Sequence, residues 1–373
     1  MDESLLNKIK EGMPEYKAIV LKNLLGITLA ILHGETVGLY KLRGKVGALL
    51  GREGNRPASN YRRMTRFFEA HALSGLWQAV LCMGLALLRL KSCYLALDGT
   101  SWQVGERKVH LLTLSVIYNG VAIPIMWRDL RKKGVSSLDQ RCRLIRRAAK
   151  ALNLKGKVLL ADREYIGPEW FNLLAHSGIG FIIRLRRGMY AEAVGTQTYA
   201  SMYSRIMASA KPGKVMDCIF HLQGQAVRLV MVRNTGRDAK EPVICLITDD
   251  IATAKKKIAS AYFIRWKIEV CFKKMKGDGF GIEAAGLKCP AKFRLLMAMV
   301  VFAYILAVIQ GMQEVIPTKN YASGERFNAH SQFREGIDLI NANCTNLCKF
   351  IRFVYNLLLD ANRRYKSPKA IFV

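Results

Sequence analysis

Three carboxylates in this chain of 373 residues stand where they could do chemistry. Asp98 closes the apolar run Cys93-Tyr-Leu-Ala-Leu and is followed by the small residues Gly99, Thr100 and Ser101. Asp162 closes Lys157-Val-Leu-Leu-Ala in the same way. Glu269 sits among cations and aromatics in the stretch from Tyr262 to Lys276, which also holds Arg265, Trp266 and Lys273. Each alone is compatible with a structural group, capping a helix or pairing with a nearby arginine. Together, two carboxylates at the ends of neighbouring strands and a third from a helix over the same sheet edge form a cage of hard oxygen ligands. Such a cage suits Mg²⁺ or Mn²⁺. Two such ions would activate a water or a 3′-hydroxyl and stabilise the leaving oxygen of a phosphodiester.

The elements that must position these groups can be read locally. An apolar run ending in a carboxylate predicts a buried strand, both at Asp98 and at Asp162. Residues 262–276 contain no Gly or Pro and predict a helix. At about 100° per residue, Tyr262, Arg265, Glu269 and Lys276 fall within an arc of roughly 60°, with Lys273 and Trp266 beside it. Ile264, Ile268, Cys271, Phe272 and Met275 form the stripe to be buried. A surface helix with i,i+4 ion pairs is the alternative. Trp266 is placed equally well for contact with bases or for packing the helix onto the sheet.

The charge balance narrows the partner. Against 28 Asp and Glu stand 58 Lys and Arg, a net +30, and every third of the chain is basic. A polyanion such as DNA or RNA is the simplest partner of a molecule charged throughout. Half the residues are hydrophobic, which excludes a disordered basic tail. The nine cysteines include no CxxC pair and read as reduced core thiols, and the six histidines show no zinc-ligand spacing. The acidic N-terminus lacks an apolar signal core, so a cytoplasmic, nucleoid-associated location is expected. The run Leu295–Met312 approaches membrane-span length; a central buried helix is the expectation, with no membrane partner.

In chain order, residues 1–92 read as a helical DNA-binding region, with Ser59 or Asn60 as N-cap of a helix presenting Arg62, Arg63 and Arg66 near Lys41, Arg43 and Lys45. A solvated charged face is the alternative for these arginines. Residues 93–185 read as a mixed α/β core. Its strands Val109–Tyr118 and Val121–Trp127 join at Asn119-Gly120, Ser136 or Ser137 caps a helix running to Leu152, and a helix after Pro168 precedes a strand at Ile179–Leu185. Residues 186–250 read as a β-rich insertion, 251–290 as the Glu-bearing helix of the core, and 291–373 as a C-terminal helical region suited to oligomerisation.

The spacing Tyr262-(2)-Arg265-(3)-Glu269-(6)-Lys276 resembles the Y-R-E-K signature of the insertion-sequence-four family of bacterial DDE transposases. Asp98 within Leu-Asp-Gly-Thr and Asp162 within Ala-Asp-Arg-Glu-Tyr look like that family's first and second acidic positions. The resemblance implies an RNase H-like catalytic core with a β-rich insertion before the Glu-bearing helix, flanked by helical regions. It implies catalysis by Asp98, Asp162 and Glu269 on two Mg²⁺ or Mn²⁺ ions, with Tyr262, Arg265 and Lys276 on terminal DNA phosphates. The partners it implies are transposon ends, target DNA and a second copy of the chain. A non-catalytic DNA-binding regulator and an RNase H-type nuclease are the alternatives.

Overall fold

The computed structural model describes residues 3–52, 54–88, 94–104, 107–131, 134–209, 211, 213–234, 241–320 and 326–364. Five helices come first: α1 (Glu3–Lys10), α2 (Ala18–Gly34), α3 (Leu39–Leu49), α4 (Pro57–His71) and α5 (Leu76–Ala86). Then follow β1 (Tyr94–Val104), β2 (Arg107–Tyr118), β3 (Val121–Asp129), α6 (Leu138–Ala151), β4 (Val158–Ala161), α7 (Pro168–His176) and β5 (Gly180–Leu185). After them come α8 (Ala191–Val194), α9 (Thr196–Met207), β6 (Val215–Leu222), β7 (Gln225–Arg233), β8 (Val243–Thr248), α10 (Lys255–Phe263) and α11 (Lys267–Met275). The chain ends with α12 (Pro290–Gly311), the short pair β9 (Thr318–Asn320) and β10 (Arg326–Asn328), α13 (Gln332–Asn343) and α14 (Leu347–Arg364). Cys93, at the start of the first predicted strand, lies outside the described residues.

The chain divides into two compact units. One gathers the N-terminal helices, Trp102–Val109 and the described chain from Phe272 through α14; the other combines the stretch ending at Ser101 with His110–Cys271. The N-terminal helices α1–α5 and the C-terminal helices α12–α14, far apart in sequence, therefore share one unit.

The helical unit is centred on α12, which packs against α13, α5, α2 and α4. Its apolar window is 83% buried inside the protein, so the run at 295–312 is a core helix. Closeness of α12 to α13 depends on glycine: a Cβ on Gly336 would lie 1.7 Å from the Ala307 carbonyl oxygen, and one on Gly311 would lie 1.8 Å from that of Gln332. Helix α4 corrects the expected cap. It begins at Pro57, with Arg56 in the N-cap position and no side-chain cap. Proline at the first helical position needs no hydrogen-bond partner for its nitrogen, so the start moves upstream of Ser59 and Asn60. Asn60 is buried instead and donates to the Arg43 carbonyl, 3.1 Å away.

The second unit is built on an eight-stranded sheet in the order β3-β2-β1-β4-β5-β8-β7-β6. The β2–β3 hairpin turns at Asn119 and Gly120, both at positive φ, as the sequence predicts. Ser137 caps α6 in a reciprocal pair with Gln140. Strands β1, β4 and β5 are parallel. Strand β8 then pairs antiparallel with β5 and carries β7 and β6 beyond it. The three strands read as an insertion thus extend the main sheet. The same segment contains α9, which the sequence reading passed over although Tyr199, Met202 and Ile206 recur at helical spacing and are buried. Helix α10 lies on β4, β5, β7 and β8, with Ile258, Ala261 and Tyr262 packed against Leu160, Ile182, Val230 and Leu246.

Candidate active site

The two aspartates are set level by strand register. Leu97 of β1 pairs with Ala161 of β4, so Asp98 and Asp162 are the next residues on adjacent parallel strands. Strand β1 runs on to Val104, so Asp98 lies within the strand and not at its tip as the sequence suggested; what ends there is the pairing with β4. A cavity of about 320 Å³ opens at this level, lined by Asp98, Asp162, Glu164, Tyr165, Ser101 and His110. Asp98 Oδ1 accepts from the Gly99 N–H at 2.8 Å. One oxygen of Asp162, Oδ1, is buried without a hydrogen-bond partner. Burial pushes the Asp98 carboxyl up from its ordinary 3.8 to about 6, against the pull of Arg265 and Gly99 and with help from Glu269 and Glu164.

The segment carrying Glu269 departs from a continuous helix. A 3₁₀ turn, Ile264–Trp266, separates α10 from α11. Side chains three apart eclipse on a 3₁₀ turn, which brings Arg265 into line behind Tyr262. Tyr262 is buried in the sheet core, and burial raises its pKa against the pull of the Arg265 charge. Arg265 reaches both Asp98 and Glu269: Nη1 stands 3.0 Å from Asp98 Oδ2 and Nη2 stands 2.6 Å from Glu269 Oε1. Burial works against the Arg265 charge, but the phenol of Tyr262 and the carboxylates of Asp98, Glu269 and Asp162 prevail and raise its pKa. The Glu269 side chain is 55% exposed.

Sequence reasoning passed over Glu164 and Tyr165 of the same cavity. The signal was present, because a second carboxylate two positions after Asp162 must emerge from the same loop. Arg141 of α6 holds that loop by donating to the Glu164 carbonyl at 3.2 Å, with its guanidinium 5.7 Å from the centre of the Tyr165 ring.

The remaining site residues are placed as follows. Trp266 is 53% exposed, so it does not pack the helix onto the sheet, and Lys267 Nζ lies 4.9 Å from its ring centre. Lys273 and Lys276 belong to the helical unit, whose boundary falls inside α11. Lys273 pairs with Asp278 at 3.1 Å, and Lys276 follows the last turn. Arg63 and Arg66 line a cavity of about 410 Å³ with Arg52, Asn23 and His71. Arg62 is exposed. Lys41 and Lys45 line a different cavity, with Glu35, on helix α3, which packs beside α4.

Among the described residues, no three His, Cys, Asp or Glu side chains stand close enough together to hold a metal ion. The donors nevertheless suit a hard cation: two carboxylates level on adjacent strands, one with a buried oxygen left unpartnered and the other compensated by Arg265.

No curated protein sequence matches the chain. Among solved structures it is similar to a piggyBac transposase in a synaptic complex with hairpin DNA, determined by cryo-EM, at 10% identity and a TM-score of 0.43, over 94% of this chain and 73% of that one. The family model described as a transposase DDE domain matches residues 89–306. With more than half of its length covered by that match, the chain belongs to the DDE-domain transposase family.

Proposed function

We propose that the chain is the transposase of an insertion sequence of the insertion-sequence-four type, which binds the terminal inverted repeats of its element, cuts at their ends and joins the 3′-hydroxyls to target DNA. The observation that carries this reading is the level emergence of Asp98 and Asp162 from adjacent parallel strands, with Glu269 tied to Asp98 through Arg265. The strand order β3-β2-β1-β4-β5 supports an RNase H-like core, in which such a strand edge holds the acidic groups. Asp98, Asp162 and Glu269 would hold Mg²⁺ or Mn²⁺, two ions in this reading. When bound, the metal supplies an activated water or 3′-hydroxyl and stabilises the leaving oxygen. The chain's own groups bind and orient the DNA: Arg265 and Lys276 contact terminal phosphates, exposed Trp266 stacks on a base, and Arg63 and Arg66 grip the backbone from the helical unit. Tyr262, on the buried face of α10, anchors that helix against the sheet. Transposon ends, target DNA and a second copy of the chain are the partners.

Asp98→Asn, Asp162→Asn and Glu269→Gln test the assignment. Each is expected to lower cleavage of duplex ends by about a thousandfold or more while leaving DNA binding in place. Cleavage at the wild-type rate in any one of them removes that residue from the mechanism. Lys276→Ala is expected to reduce the salt slope of DNA binding by about one unit, as loss of a phosphate contact requires.

A further inference from the structure

Arg265 spends its two terminal nitrogens on two different carboxylates, Asp98 at 3.0 Å and Glu269 at 2.6 Å. We propose that Arg265 is a built-in counter-ion that holds the acidic site closed to divalent metal in the DNA-free protein, and that a DNA phosphate opens the site by drawing the guanidinium away. The inference rests on the reading of Asp98, Asp162 and Glu269 as the metal-holding set.

Three features of the geometry carry it. A guanidinium binding one carboxylate for strength alone would engage it with both nitrogens in parallel, whereas here the two terminal nitrogens are divided between two carboxylates. The two grips are unequal. The Arg265–Asp98 pair is buried, at 12% and 19% side-chain exposure, while Glu269 is 55% exposed, so release begins at Glu269, where water replaces the lost contact cheaply. Third, the hydrogen bonds of the cation cover only part of the acidic set, because Asp162 Oδ1 stays buried without a hydrogen-bond partner. Phosphate offers a guanidinium the bidentate contact that this divided arrangement lacks. A phosphate at this site would therefore turn Arg265 outward and free Asp98 and Glu269 together, so that metal loading follows DNA docking.

The test is Mn²⁺ binding by the full chain, followed by electron paramagnetic resonance of the free ion and, independently, by the rise in melting temperature that bound metal produces. Arg265→Gln keeps a donor for Asp98 and removes the charge. In the absence of DNA it is expected to bind Mn²⁺ on the order of tenfold more tightly than wild type. Arg265→Lys, a point charge unable to span both carboxylates, is expected to fall between them, and it serves if the glutamine variant does not fold. A short blunt duplex, with its own Mn²⁺ uptake subtracted, is expected to tighten metal binding by wild type and to leave Arg265→Gln unchanged. If Arg265 only braces the fold, Arg265→Gln binds Mn²⁺ equally or more weakly, and the proposal is overturned. An equal effect of the duplex on both proteins overturns the coupling to phosphate. Asp98→Asn separates the levels: Mn²⁺ binding that ignores Asp98 in every background defeats the metal-site reading itself, whereas Asp98-dependent binding indifferent to Arg265 defeats this inference alone.

Discussion

The clusters of carboxylate and guanidinium around Asp217 and around Asp98, both in the sheet-bearing unit, are built on opposite charge balances. In the cluster on β6 and β7, Asp217 faces two cations: Arg228 donates to Oδ2 through Nε at 2.8 Å and Nη2 at 2.6 Å, and Lys255 reaches Oδ1 at 2.8 Å. In the Asp98 cluster one cation, Arg265, faces Asp98, Glu269 and the partly orphaned Asp162. Burial acts to raise both aspartates. At Asp217 the hydrogen bonds and charge of Lys255 and Arg228 overcome it and hold the carboxyl below its ordinary value, whereas Asp98 is left at about 6. Glu241 repeats the structural pattern, with Arg184 and Arg163 both upon it and a lowered pKa. Excess cation marks the pairs that brace the fold, and in the proposed function the excess carboxylate is what would receive a cation from outside.

The largest effect on stability is expected at the braced cluster. Asp217→Asn removes the paired counter-charge of Arg228, 10% exposed in its pair, and should cost about 2–3 kcal/mol in urea unfolding at pH 7. Because the folded pKa of Asp217 lies below its ordinary 3.8, its contribution is complete above that value and disappears as pH falls through the folded pKa. The gap between wild type and variant should close in acid. A gap that persists unchanged at low pH would mean that Asp217 braces the sheet by packing and not by charge.

Asp98→Asn should move stability the other way. A carboxyl whose pKa is raised to about 6 binds its proton more tightly in the folded state, so its ionisation opposes folding above that pH and has no effect below 3.8. The variant is expected to gain about 1–2 kcal/mol at pH 8, with Asn still accepting from Arg265, and to match wild type near pH 3. Destabilisation at pH 8 would place Asp98 with Asp217 among the bracing groups and break the contrast.

The contrast also explains what the sequence could disclose. Asp98 and Asp162 were legible because a buried parallel strand is a continuous apolar run, and a carboxylate that closes one is conspicuous. Asn119-Gly120 and Ser137 were legible because their roles are decided within a few residues. The pairing of β8 with β5 was not, since partners some sixty positions apart leave no local trace, as with Ile183 and Ile247. Nor was the break at Ile264–Trp266, which contains no Gly or Pro; it is imposed by Tyr262 seeking the sheet core while Arg265 reaches for Asp98. A wheel drawn through 262–276 places Tyr262 on the polar face, whereas it is buried, because the wheel assumes one helix where there are two.

Glu269 should give the smallest stability change of the three. Its ion pair with Arg265 is an i,i+4 contact whose acidic side chain is 55% exposed, so water and salt screen most of the attraction. Glu269→Gln is expected to alter unfolding free energy by no more than about 0.5 kcal/mol at any pH from 5 to 8. The same substitution should abolish strand cleavage if Glu269 completes the acidic set. A residue that matters little to the fold and decisively to the reaction is what an excess carboxylate should be. A loss comparable to that of Asp217→Asn would instead show that Glu269 belongs to the bracing network, and that Arg265 is balanced between two structural partners.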